Sequence, residues 1–192
     1  MVFIGWEWLN SGLTKIVRGN FTSGLPAQLH TQSEGAPSWY RDYIHDTVIP
    51  NAATFGPLIE IGEVAVGVAL IGAAITWFWR GNRLADGGRS ILLLTVAVAA
   101  LAGTLMNVNF HIASGGHHPW LLAKDAFGEG VDLDSLLPML QLTLAAVSGK
   151  LLFDMYRERR ARTSKAPAGS SRRSSRTHPA ATGAGSGIAP KL

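Results

Sequence analysis

The stretch TFGPLIEIGEVAVGVALIGAAITWFW, from Thr54 to Trp79, decides the fold. Its only charged residues are Glu60 and Glu63, and it is longer than the roughly 20 residues with which a helix crosses a hydrocarbon core. Two further runs read the same way. Ser90 to about His111 is almost pure Leu, Val and Ala until Asn107, and Leu137 to Tyr156 carries Pro138 at its start, where a helix tolerates proline. The N-terminal stretch from Val2 to Val17 mixes apolar residues with Trp6, Glu7, Trp8, Asn10 and Ser11. At about 1.5 Å per residue it falls short of a full crossing. No positive segment precedes it, so a cleaved signal peptide is not expected. The reading is an all-α integral membrane protein: a four-transmembrane-helix bundle over residues 1–156, with helices at about 2–17, 54–79, 90–111 and 137–156.

Composition agrees. Of 192 residues 47% are hydrophobic and 16% charged, against roughly 25% charged in an average soluble domain. There is no cysteine, which excludes disulfides, thiolate metal sites, iron–sulfur ligation and covalently attached haem. Any redox role must borrow its electron carriers, and no bound cofactor is evident. The net charge of +4 conceals two opposite halves: residues 1–156 hold 8 Lys/Arg against 12 Asp/Glu, and residues 157–192 hold 9 against 1. In that second part the basic residues sit among Ser, Ala, Gly and Pro rather than on a folded face with interleaved aromatics, so nucleic acid is not the expected partner. Residues 157–192 are expected to be a disordered basic tail, attracted to anionic lipid.

Orientation follows from where Lys and Arg collect. Arg80, Arg83 and Arg89 fall between the second and third helices, and Arg157, Arg159, Arg160 and Arg162 open the tail. Those ends are expected on the cytoplasmic side of the cell membrane, together with both termini. The connections 18–53 and 112–136 are acidic, with Glu34, Asp42, Asp46, Asp125, Glu129, Asp132 and Asp134, and are expected outside. Trp77, Trp79 and Trp120 stand where an interfacial aromatic belt would place them.

Ionisable groups inside a span cost at least about 2.5 kcal/mol each on insertion scales, so they face the bundle interior or water. At about 100° per residue, Glu7, Asn10, Ser11, Thr14, Lys15 and Arg18 share one side of the first helix. Gly56, Glu60, Glu63 and Gly67 form a stripe on the second, Gly103, Asn107, His111 and Ser114 on the third, and Gln141, Ala145 and Ser148 on the fourth. The topology puts Lys15, Glu60, Glu63, Asn107, His111 and Gln141 at one level, the outer third of the bundle. Small residues and amides alone would read as helix packing; two carboxylates one turn apart with a lysine and a histidine at their level read as a site. Lys150 and Asp154, spaced i, i+4 near the inner end, read as a snorkelling ion pair. His117 and His118, adjacent in a Gly-rich loop, lack ligand spacing, and no metal site is expected.

The segment Gly5-Trp6-Glu7-Trp8-Leu9-Asn10-Ser11-Gly12-Leu13-Thr14-Lys15, the Gly62-Glu63 pair with Gly67 and Gly72, and Met106-Asn107-Val108-Asn109-Phe110 resemble the DoxX/DoxD family, most closely the large membrane subunits of thiosulfate:quinone oxidoreductases. The resemblance covers roughly residues 4–156. It implies a membrane subunit of a quinone-linked sulfur oxidation system, working with a small partner subunit or soluble redox protein, with quinone as the diffusible electron acceptor. Carried onto this chain, Lys15, Arg18, Asn107 and Gln141 become candidate substrate-binding residues. Glu60, Glu63 and His111 become candidate catalytic residues that hold protons and hydrogen-bond the quinone carbonyls. Two readings from other classes stand beside it: a non-catalytic anchor that recruits soluble redox enzymes, and a small transporter or proton-coupled channel built on the Glu pair and Lys15.

Overall fold

The computed structural model describes residues 1–113, 115 and 133–165, and every regular element among them is helical. The elements are α1 (Val2–Arg18), α2 (Phe21–Gln32), α3 (Ser38–Tyr43, continued by a π-helical turn Ile44–Val48), α4 (Ala52–Arg80), α5 (Asp86–Ala113) and α6 (Leu133–Lys165). Three of them, α4, α5 and α6, are long and apolar enough to cross a membrane. Large apolar side chains stand on their outer faces: Phe78, Ile91, Val98, Leu105, Leu142 and Phe153 are all exposed. A water-soluble monomer rarely shows so much apolar surface.

The core that joins the helices is narrow. Ile4 and Trp8 of α1, Val66, Leu70 and Ala73 of α4, and Val96 and Ala99 of α5 form one buried cluster, on which Leu137 and Leu144 of α6 also pack. Helices α1 and α4 run antiparallel in backbone contact, because glycine leaves each without a side chain where they cross. A Cβ added to Gly67 would stand 2.6 Å from the Leu9 nitrogen and 2.7 Å from the Gly5 oxygen, and one on Gly12 would stand 3.0 Å from the Glu60 oxygen. Small residues at the crossing are the usual means of close helix approach where no hydrophobic effect draws helices together.

Several expectations need correction. The buried face of α1 is Ile4, Gly5, Trp8 and Gly12; Ser11 and Lys15 lie at its edge, while Asn10, Thr14 and Arg18 are exposed. Glycine spacing, not polarity, sets this face, because backbone approach to α4 needs Gly5 and Gly12. The connection 18–53 is largely helical: Gly19, at φ 67°, ends α1 with its N–H on the Lys15 carbonyl at 3.1 Å, and the chain turns directly into α2. The α2–α3 segment folds back on the bundle through Ala36, Tyr40 and Ile44 packed against Ala113 of α5. Helix α6 starts before Leu137, so Pro138 lies inside it and is fully buried.

The chain divides into two compact units, residues 1–157 and 158–192. In the second, residues Glu158 to Lys165 are helical rather than disordered from the start, with Glu158 and Arg162 spaced i, i+4 at 3.9 Å. Glu, Arg and Ala are good helix formers, which a reading based on apolar content overlooks. Residues 166–192, Ser114 and the segment carrying His117, His118 and Trp120 lie outside the described residues.

Candidate functional site

Close passage of α1 over α4 sets up the first element of the site. Gly12 rests on the Glu60 carbonyl, and Lys15, one turn further along α1, meets Glu63. The lysine ammonium lies 2.5 Å from both Oε1 and Oε2 of Glu63 and donates a third hydrogen bond to Ser11 Oγ at 2.9 Å. Phe21, the first residue of α2, places its ring 5.2 Å from the ammonium. Glu63 is 1% exposed and the Lys15 side chain 23%, so the carboxylate is sealed inside while the lysine is only partly covered. A buried charge is tolerated when it is paired and its remaining hydrogen-bonding capacity is filled. The bidentate contact meets that condition.

Beside the ion pair is a cavity of about 340 Å³. Lys15 stands at one wall, Ile59 of α4 and Asn107, Phe110 and His111 of α5 at another, and α2 closes it with Phe21, Leu25, Gln28, Leu29 and Gln32. The lining is thus an apolar box with amides, an imidazole and an ammonium set into it, the general make-up of a small-molecule site. The spacing of α2 explains its part. Phe21, Leu25, Gln28, Leu29 and Gln32 recur at three and four residues and fall on one face. A second hollow of about 320 Å³ shares Lys15, Phe21 and Gln28 with the first and is lined further by Thr14, Arg18 and Asn20.

Each expected residue can now be placed. Lys15, Asn107 and His111 meet at the cavity, and Glu63 reaches it through Lys15. Gln141 of α6 is fully buried behind Asn107, whose Nδ2 donates to Gln141 Oε1 at 3.0 Å. Arg18 is exposed and belongs to the second hollow rather than the cavity. Glu60 is half-buried and forms no ion pair among the described residues. The α2 residues were not foreseen: Ser, Gly, Pro and Gln within 20–32 read as a connection, although the Phe21, Leu25, Leu29 spacing carried the signal.

Outside this region Tyr40 donates to Asn109 Oδ1 at 2.9 Å. Burial, and next to it the Tyr43 phenol, pushes the Tyr40 phenol up from its ordinary value. Lys150 and Asp154 form an exposed i, i+4 pair at 2.6 Å, as their spacing suggested. No cluster of three or more His, Asp or Glu arranged to hold a metal occurs among the described residues. Comparison with protein-family models, with curated proteins and with solved structures finds no match.

Proposed function

We propose that this chain is the membrane subunit of a quinone-linked oxidoreductase, with the cavity between α1, α2, α4 and α5 as the place where the quinone headgroup is received. The observation that carries the reading is the cavity's own chemistry: side chains of Asn107 and His111 able to donate, set in an apolar box beside an ion pair whose ammonium is already fully engaged by Glu63 and Ser11. A quinone headgroup is flat, apolar and uncharged, with two carbonyl oxygens that accept hydrogen bonds. The Lys15 charge is already matched by Glu63, so a neutral acceptor suits this cavity better than a dianion.

In this reading α1 is the fourth helix of a bundle in the cell membrane, with both termini inside, and the cavity opens at the outer level. Reduction of a quinone takes two electrons and two protons. Thiosulfate, the donor implied by the resemblance, would supply the electrons, directly or through a small partner subunit. His111, and Glu63 through Lys15, would hold protons near the headgroup. Arg18, in the exposed hollow beside Lys15, is the cation available to an anionic donor.

The test is reduction of a short-chain quinone by the purified protein with its partner, on addition of thiosulfate. His111→Leu is expected to lower turnover more than expression, while truncation after Arg162 leaves the rate unchanged. An anchor protein predicts the opposite: His111→Leu silent, and loss of bound redox proteins on truncation. Absence of thiosulfate-dependent reduction with the partner present would refute the enzyme reading.

A further inference from the structure

Trp8 and Gln141 carry an unsolved hydrogen-bonding problem. Trp8 is 5% exposed and Gln141 0%, and the indole Nε1 of one and the amide Nε2 of the other are buried without a partner. Both press on the same glycine of α5: a Cβ on Gly103 would stand 3.1 Å from Trp8 Nε1 and 2.5 Å from Gln141 Nε2. Two donor nitrogens thus flank one point with nothing to accept from them, and a buried donor left unsatisfied is costly.

The same side-chain positions hold a second arrangement without that cost. An amide's oxygen and nitrogen are nearly equal in shape, and which stands where is decided by the network around them. A half-turn of the Gln141 amide puts its Oε1 where Nε2 stood, on the side of Gly103 that Trp8 Nε1 also faces, and its NH2 toward Asn107. Asn107 must then turn as well, accepting at Oδ1 what it donated at Nδ2 in the 3.0 Å contact. The indole N–H and both polar atoms of the Gln141 amide then each have a partner, and the Asn107 NH2 is left over, on a residue that lines the cavity.

We propose that Trp8 and Gln141 are positioning residues that hold the Asn107 amide with its NH2 toward the cavity, so that the cavity selects a ligand presenting an acceptor oxygen at Asn107. The hydrogen bonds run one way, Trp8 to Gln141 to Asn107 to ligand. Trp8 can start such a row because an indole N–H only donates and never reverses. Gly103 is required because any side chain there would occupy the space between Trp8 and Gln141. The identity of the ligand as a quinone rests on the function proposed above; the direction of the row does not.

Two measurements on the full-length protein in lipid nanodiscs test this. In a spectrum of ¹⁵N-labelled indoles, the Trp8 signal is identified by its loss in Trp8→Phe. It is expected at the downfield position of a bonded N–H and should shift upfield in Gln141→Leu. An unbonded position in the parent, or no shift in Gln141→Leu, overturns the row. In the second, a short-chain benzoquinone, whose oxygens only accept, is titrated against its hydroquinone, whose hydroxyls also donate. Trp8→Phe should weaken quinone binding about three- to tenfold and hydroquinone binding less, since a lost neutral hydrogen bond is of that size. Equal weakening of both, or none, assigns Trp8 to packing and overturns the positioning role. If the parent binds neither compound, the quinone reading falls and takes the ligand with it, while the indole signal still decides the direction of the row.

Discussion

The Lys15 ammonium of α1 lies 2.5 Å from each carboxylate oxygen of Glu63 on α4, and Glu63 is 1% exposed. Neither partner is tolerable without the other in an apolar bundle. Lys15→Met is expected to destabilise the protein by about 3–5 kcal/mol, the range for leaving one member of a buried pair uncompensated. The value should fall toward the lower end because the lysine is partly exposed. Adding Glu63→Gln should restore most of the loss. Thermal unfolding in one detergent, with parent, single and double variants, checks the order; equal stability of parent and Lys15→Met would make the pair incidental.

The ion pair depends on the glycines beneath it. Gly67→Ala puts a methyl group against the backbone of Leu9 and Gly5, and separating α1 from α4 should cost about 1–3 kcal/mol, as overpacking of a tight contact does. Gly72, on the same helix, has nothing within 4 Å of an added Cβ. Gly72→Ala should therefore be neutral or gain up to about 1 kcal/mol from helix propensity. Unfolding of the two variants side by side makes the comparison, and equal effects would deny the close crossing.

What could be read in the sequence follows from these contacts. Of the stripe Gly56, Glu60, Glu63 and Gly67 on α4 all but the half-buried Glu60 are buried, as are Gln141, Ala145 and Ser148 on α6, because in an apolar helix the polar and small residues are the ones with a reason to turn inward. The same rule misplaced α1, where Asn10, Thr14 and Arg18 fall in its second half and remain exposed, and where glycines choose the packed face. It also hid α2, whose Pro26 and polar residues resemble a connection. The cavity needed both: Lys15, Asn107 and His111 were legible as one level of the bundle, and the helix that closes over them was not. Trp8 stood out in the sequence as an interruption of the apolar run, but nothing in its spacing showed that its indole N–H would be buried beside Gln141.

Topology yields a direct check. Thr31, exposed in α2, belongs to the acidic connection assigned outside, and Ser90, at the start of α5, lies beside the arginines assigned inside. A membrane-impermeant thiol reagent applied to whole cells should label Thr31→Cys and spare Ser90→Cys until the cells are opened. The reverse pattern would put the cavity on the cytoplasmic side.

Tyr40 supplies a pH dependence. Its phenol is raised in the folded protein, first by burial and then by Tyr43, and its O–H donates to Asn109 Oδ1. A raised acid stays neutral in the folded chain while the unfolded chain ionises, so its contribution is complete below about pH 10 and is lost as pH rises above that value. Amide exchange in the α3 region should accelerate above pH 10 beyond the intrinsic increase. Tyr40→Phe should remove that excess while costing about 1 kcal/mol at neutral pH for the lost bond. An excess that persists in Tyr40→Phe would assign it to another group.

The two halves of the proposed reaction occupy different residues, and kinetics can separate them. His111 lines the cavity, whereas Arg18 lies in the neighbouring exposed hollow. Arg18→Gln is expected to raise KM for thiosulfate about three- to tenfold, the size of one charge-assisted contact at a partly exposed site, and to leave KM for the quinone alone. His111→Leu should do the converse, lowering kcat and raising KM for the quinone with thiosulfate KM unchanged. Raising the salt concentration should imitate Arg18→Gln, because an exposed cation is screened, and should have little effect on the quinone term. If both variants change both constants together, donor and acceptor share one site and the cavity is not reserved for the headgroup.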